Sequence, residues 1–457
     1  MEKRTILFFI LTFLLLFIWS QYFVPRPQIP VNDNKAVEEQ TEEQSGSADQ
    51  ITSQAQVTRN IIPDNAEAAI LPPSVAEKQI IVETPLYIAT FSNRGPSLTY
   101  FKLKDYKTTI EPDSQPVELF TGQDHIKNHI SFYFNNPYLK DENNLIFTTE
   151  GDSFVLSQGE ANKDLSFKYV TSNGITVEQT FTFSAEQYDI GFKIKIKNQT
   201  GNIINGNIKA IINNMRPGKG GRYYSFTGAA AYFNNELNEF DFDDLEDNPE
   251  LSGNIDWVAY ENEYFLSAII PQEKKDSKFS GAIQPSGIVI ATHISPQVEL
   301  APDTEALKEY SLFLGPRDVK ILEQFGNNLD KAIDYGFFSI IADPLHFTLN
   351  FFNRFLNNYG LSIILLTIII KIIFWPLTQK SQKSMKEMQK LQPLMAKIRE
   401  KYKDNREMMN KELMGLYRTY KVNPMSGCLP MLIQIPVFFA LYRVLNNSIE
   451  LRHAPFA

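Results

Sequence analysis

A lysine, two threonines and a glutamine lie among residues that otherwise prefer hydrocarbon, and their types suit them to handling charge inside a membrane. In "LSIILLTIIIKIIFWPLT", Leu361 to Thr378, Lys371 is surrounded by twelve Leu, Ile and Phe residues. A lysine at the centre of an inserted helix costs about 2.5–3.5 kcal/mol and each Leu, Ile or Phe returns about 0.3–0.6 kcal/mol, so the segment still inserts. Thr367 lies four residues before Lys371 and Thr378 seven after, which puts all three on one helix face. A second apolar segment, "CLPMLIQIPVFFALYRVL" from Cys428 to Leu445, adds Gln434 and, two turns on, Tyr442. Polar groups within hydrocarbon face protein or water rather than lipid. The chemistry open to this set is electrostatic: a polar cavity inside the membrane with a cation on its wall. The competing reading is a lysine that snorkels about 8 Å to the helix end near Pro376.

Other reactive residue types are spaced less well. "HIKNH" sets His125 and His129 four apart, but it lacks the glutamate of a zinc-protease motif and sits in strand and loop sequence. "RPGKGGR", Arg216 to Arg222, has the glycines of a phosphate loop without the Ser or Thr after Lys219. The acidic run "ELNEFDFDDLEDNPE" lacks the ligand spacing of a calcium loop and reads as a solvated or partner-facing segment. A sugar epimerase or sugar-binding protein would need clustered His and Glu, and the strand-patterned region 78–334 offers only His125, His129 and His293. An ion channel would need a continuous polar path. The single cysteine, Cys428, excludes an intrachain disulfide. No metal, no cofactor and no catalytic residue is expected.

The elements that must position these residues follow from hydropathy and charge. Thr5 to Val24 is a run of about 20 mostly apolar residues, long enough to cross a bilayer. Lys3 and Arg4 precede it, and Trp19, Tyr22 and Phe23 give it a bulky aromatic end. That end favours an uncleaved anchor (1–24) over a signal peptide, which would close on small residues. The basic flank predicts a cytoplasmic N-terminus, so the chain would cross outward at 1–24, inward at 360–377 and outward again within 425–457. The intervening stretch from Pro376 to Pro424 carries twelve Lys and Arg against five Asp and Glu, a net +7, in a chain of formal net charge −9. The remainder therefore carries −16, and positive charge gathers where the anchor places the cytoplasm.

Between the spans the composition changes twice. Residues 25–77, rich in Gln, Glu, Ser, Asn and Pro, read as a flexible linker. Residues 78–334 alternate with the period of half-buried strands, as in "YDIGFKIKIKN", where Ile190, Phe192, Ile194 and Ile196 oppose Lys193, Lys195 and Lys197. Asn173-Gly174 between two such runs predicts a type I′ hairpin. The region reads as an exported antiparallel β-sandwich with a helix at its end. In 335–359, Leu345, Leu349, Phe352 and Leu356 form one helical stripe, predicting an amphipathic helix at the outer interface; a last helix of the sandwich is the competing reading. In 378–424, two 3-4 stripes, Met388, Leu391, Met395, Ile398, Tyr402 and then Met409, Leu413, Leu416, Tyr420, predict a cytoplasmic helical hairpin turning at Lys403–Asn405. Pro393 is expected to interrupt its first arm. The cations of this hairpin would attract anionic membrane lipids. No stacking platform for nucleic acid is visible, and no DNA contact is expected.

Taken with this order of elements, "YGFFSIIADPLHFTLNFFNRFLNNYGLSIILLTIIIKIIFWPLT", "LQPLMAKIREKY" and "KVNPMSGCLPMLIQIPVFFALYRVLNNSIELRHAPFA" resemble the YidC family of membrane protein insertases of Gram-negative bacteria. "SNRGPSL" and "SLFLGPRD" extend the likeness into the exported region. The resemblance implies a multi-domain inner-membrane protein that inserts newly made proteins, alone or beside the Sec translocon. It implies a periplasmic domain of mutarotase-like super-sandwich form and a water-filled groove in an α-helical membrane part. By the same resemblance Lys371, Thr367 and Gln434 line that groove, Lys371 standing where the family commonly has arginine. Nascent membrane proteins, the Sec translocon, lipids and the ribosome are the partners it implies, with the hairpin as the first docking site. Family members carry further spans after "APFA", so the resemblance implies a C-terminally shortened chain.

Overall fold

The computed structural model describes residues 76–455 apart from 112, 123–124, 140–141, 218–225, 421 and 424–426. The expected anchor, nearly all of the expected linker and most of the Arg216–Arg222 loop lie outside the described residues. The chain forms two compact units, one holding Ser384–Pro424 and the other holding Pro72–Lys383 with Met425–Ala457.

Two large sheets make the body of the second unit. One has nine strands, in the order Glu236–Phe240, Gly228–Phe233, Ile255–Glu261, Phe265–Pro271, Glu305–Pro316, Asp189–Asn198, Ile175–Phe183, Lys163–Val170, Thr148–Thr149. The other has eleven, with Ile204–Met215 near its centre between Ile288–Ile294 and Ile130–Asn135. Pairing is antiparallel except between Gln79–Glu83 and Phe154–Val155. Strand Asp189–Asn198 shows why the sequence folds this way. Ile190, Phe192, Ile194 and Ile196 are fully or almost fully buried in the core. On the other face Lys193 pairs with Glu309 at 2.8 Å and Lys195 with Glu305 at 3.0 Å, both partners lying on the neighbouring strand. Aromatic rings fill the space between the sheets: Phe132 stacks on Phe192 at 3.7 Å, and both lie near Phe181 and Tyr310.

The hairpin at Asn173-Gly174 forms, with a different turn from the one expected. Gly174 has φ +90° and Asn173 does not enter the positive-φ region, whereas a type I′ turn needs both. The Gly174 amide donates to Thr171 O at 3.1 Å and the Thr171 amide to Ile175 O at 2.9 Å. This is a type I turn closed by a glycine bulge, which adds one loop residue and keeps Val170 opposite Thr176.

Strand Glu305–Pro316 leads out of the sandwich. Asp318 caps helix Val319–Phe325 by accepting from the Lys320 and Ile321 amides, and Gly326 with φ +80° ends it. Arg317, almost fully buried, donates to Asn262 O at 2.7 Å and to Ala332 O, and lies 3.7 Å from the Glu261 carboxylate. It ties the sandwich to the turn that starts the helical part.

Three helices of this unit follow: Ser339–Leu356, Tyr359–Lys401 as far as Lys383, and Leu429–Asn447. They pack through a small apolar cluster of Tyr335, Ala342, Leu349, Leu366, Ala440 and Val444. The segment after the final helix also reaches the sandwich. Ile449 is buried in the sandwich core, Arg452 donates to Thr108 O at 3.3 Å and lies over the Tyr264 and Phe265 rings, and Glu450 sits 3.7 Å from His346.

Helix Ser339–Leu356 differs from the expected single stripe. Ala342, His346 and Leu349 face the other helices, while Ile340, Phe347, Phe351 and Phe355 form a second apolar face that is exposed. Helix Tyr359–Lys401 runs 43 residues through Pro376 and Pro393 without the expected interruption. Proline removes one donor per site, and a helix held by its neighbouring turns tolerates that loss.

The other unit, considered by itself, is a helical hairpin. Its first arm is the end of the long helix and its second is Arg406–Thr419, capped by Asn405 Oδ1 accepting from the Met408 amide at 3.1 Å. Leu391 and Leu413 are buried between the arms, and Tyr417 Oη lies 3.7 Å from Met395 Sδ. Tyr417 therefore reaches the first arm, and Tyr420, a member of the expected stripe, is exposed.

Candidate functional site

Two features bracket a section of the apolar helices. At the sandwich end, Leu366 near the start of the long helix shares an apolar cluster with Ala440 and Val444 near the end of the final helix. At the other end, Ser381 Oγ donates to Gly427 O at 3.0 Å. Lys371 lies five residues beyond Leu366 and Gln434 six residues before Ala440, so each stands one to two turns from the packed cluster. Both are exposed, as are Ile372, Ile373 and Trp375 on one helix and Met431 through Ile435 on the other. Between the two ends each helix thus carries one exposed polar side chain among exposed apolar ones, a cation on the first and an amide on the second.

The remaining polar residues of this section are turned inward on their own helix. Thr367 Oγ1 donates to Ile364 O at 2.7 Å and Thr378 Oγ1 to Phe374 O at 3.0 Å, which satisfies each hydroxyl within its own helix. Lys371 makes no hydrogen bond or ion pair among the described residues, and no contact draws Thr367, Lys371 and Gln434 together. What the arrangement can do is offer an unpaired ammonium on a helix long and apolar enough to cross a membrane. A polar or acidic group entering there would gain an interaction that water screens poorly.

The histidines do not form a competing site. His125 is exposed on a turn, whereas His129 is buried, stacked on Phe120 at 4.8 Å, with Nδ1 3.1 Å from Asn213 O. His293 is enclosed beside Tyr310, and burial holds it neutral, with its pKa lowered to about 3. Burial likewise lowers His129 to about 4. The three thus never meet on an open surface, and no group of three metal-ligating side chains occurs among the described residues. In the acidic run, Asp241 and Asp244 close a capping box on helix Phe242–Glu246, a structural use.

Sequence reasoning missed a cavity of about 700 Å³ between the sandwich and helix Ser339–Leu356. Asp343, Asn350 and Arg354 of that helix line it. Their 7- and 4-residue spacing on one helix face is the available signal, and in sequence it reads equally as a solvated face.

Comparison with known proteins covers the chain from residue 79 onward in two parts. Residues 79–348 match the family described as YidC periplasmic domain, and residues 351–457 the family described as 60Kd inner membrane protein. The chain is 36% identical over 459 residues to the membrane protein insertase YidC of Pelobacter propionicus, covering 100% of this chain and 82% of that protein. It is 37% identical over 458 residues to the membrane protein insertase YidC of Geobacter metallireducens, covering 100% and 83%. Among solved structures, a galactose mutarotase related enzyme from Lactobacillus acidophilus matches with a TM-score of 0.39 at 10% identity, over 52% of this chain and 97% of that one.

Proposed function

The chain belongs to the YidC family of membrane protein insertases, and from that premise we propose that the exposed section around Lys371 is where a substrate's polar segment enters the membrane. The protein is an inner-membrane insertase whose substrates are membrane proteins. Insertion moves a segment from water to lipid and breaks no covalent bond, so the chain acts as an insertase and not as an enzyme. In our reading the N-terminus and the basic hairpin are cytoplasmic and the sandwich, of mutarotase-like form, is periplasmic. The chain spans the membrane at 1–24, 360–377 and within 425–457. Lys371, Thr367 and Gln434 line a hydrophilic groove, and the hairpin's excess positive charge holds it against anionic lipid. The Sec translocon and the ribosome are proposed as further partners.

Lys371 and water in the groove lower the cost of bringing an acidic tail into the bilayer, about 2.5–3.5 kcal/mol for one aspartate in hydrocarbon. The apolar part of the substrate then leaves sideways into lipid, driven by its own transfer free energy. The observation that carries this reading is the exposed, unpaired ammonium of Lys371 on an apolar helix, between the cluster at Leu366 and the Ser381–Gly427 bond. The test is insertion of a substrate with a short acidic exported tail by vesicles carrying the full chain. Lys371→Ala is expected to slow insertion about tenfold, and Lys371→Arg to retain most of it, because charge is kept. Equal insertion by all three proteins would remove Lys371 from the mechanism. Crosslinks from Thr367, Lys371 and Gln434 to a nascent chain would locate the path.

A further inference from the structure

The cavity between the sandwich and helix Ser339–Leu356 has a wall of mixed charge beside an apolar edge. Its volume of about 700 Å³ falls within the range of small-molecule sites. Lys320, Lys331 and Arg354 bring positive charge to it, and Glu323, Asp330, Asp334 and Asp343 bring negative charge. Some of these are already engaged: Lys331 pairs with Asp330 at 2.8 Å, and Asp334 accepts from the Gly336 amide and Ser339 Oγ. The side chains of Lys320, Glu323, Asp343 and Arg354 have no hydrogen bond or ion pair among the described residues. A cavity this size therefore holds unpaired groups of both signs.

Phe347 and Phe351 belong both to the cavity lining and to the exposed apolar face of the helix, which Phe355 continues. Arg354 stands three residues after Phe351 and one before Phe355, at the point where the polar lining meets that apolar face. An occupant that satisfies both surfaces is an amphiphile, with a small charged head in the cavity and hydrocarbon along the phenylalanines.

We propose that this cavity binds the headgroup of an aminophospholipid of phosphatidylethanolamine type, its phosphate on Arg354 and its primary ammonium among the cavity carboxylates. The guanidinium offers paired N–H donors suited to a phosphate. The ammonium offers three N–H donors to carboxylates, which a choline headgroup lacks. A purely anionic headgroup meets a wall with four carboxylates against three cations, so it is disfavoured. The inference rests on the reading above that helix Ser339–Leu356 lies at the outer membrane surface.

The test uses the full chain in detergent with equimolar phosphatidylethanolamine, phosphatidylcholine and phosphatidylglycerol, and counts retained lipid by native mass spectrometry. One phosphatidylethanolamine per chain is expected, retained about tenfold over either competitor. Arg354→Ala is expected to reduce its retention to the level of phosphatidylcholine, and Glu323→Gln with Asp343→Asn to erase the preference over phosphatidylcholine alone. Equal retention of the three lipids, or full retention by Arg354→Ala, overturns the proposal. So does displacement by free O-phosphoethanolamine at equal concentration, which would mark a water-soluble ligand. In vesicles, Phe355→Trp quenched by acyl-chain-brominated lipid supports the helix's placement independently. Quenching without lipid preference sinks the site alone; no quenching sinks the placement and the site with it.

Discussion

Glu142 lies wholly within the sandwich, where its carboxyl accepts from the Phe134 amide at 2.9 Å and from Gln179 at 3.4 Å. Burial nonetheless outweighs these bonds and pushes its pKa up to about 8. The folded state thus keeps a proton on Glu142 that the unfolded chain releases near pH 4.5, so its contribution is lost as pH rises toward 8. Glu261, raised by burial beside Arg317, acts in the same direction. His129 and His293 act oppositely: their lowered values add stability as pH rises, and most of that gain is in place by about pH 6.5, where the unfolded histidines are half titrated. Between pH 6.5 and 8 the raised carboxyls outweigh what remains of that gain, and stability is expected to fall, by about 2 kcal/mol for one fully buried carboxyl. Glu142→Gln should shrink that fall, read from thermal midpoints of the full chain at the two pH values. An unchanged fall would remove Glu142 as its source. Lys371 stands out in the sequence because its neighbours are all apolar. Glu142 does not, since "KDENN" reads as a solvated turn and only the folded sheets reveal that its third residue points inward.

Helix Ser339–Leu356 separates two kinds of apolar surface. Leu349 is packed among the helices, whereas Phe355 is exposed. Leu349→Ala is expected to cost about 2–5 kcal/mol and lower the thermal midpoint in detergent, while Phe355→Ala should leave that midpoint near wild type. Equal effects would mean that Phe355 is packed too. Strands are the most legible elements: the alternation of Ile190 through Lys197 names both faces, because a period of two fixes side-chain direction. The turn at Gly174 is legible in place and not in type, since Asn-Gly suits more than one loop length. The helix shows one stripe in sequence because residue types distinguish apolar from polar, and not the packed from the exposed part of an apolar surface. Pro393 misleads for a related reason, as its local penalty is outweighed by 43 residues of otherwise helical sequence.

At the level of the whole second unit, sandwich and apolar helices share a joint in which Ile449 enters the core, Arg452 covers Tyr264 and Phe265, and Arg317 holds Ala332 O. Ile449→Ser with Arg452→Ala is expected to loosen it, so that calorimetry of the full chain shows two transitions where wild type shows one. One transition in both would mean that the joint does not couple the parts. The proposed groove is legible only in its residue types, because Thr367, Lys371 and Gln434 come from two helices whose mutual placement the sequence does not give. The same joint sets an order in time. Ile449 is made more than a hundred residues after Pro316, the last residue of the sandwich's final strand. A ribosome therefore releases the whole β body while one place in its interior is still vacant. Its closure waits for two further apolar segments to be synthesised.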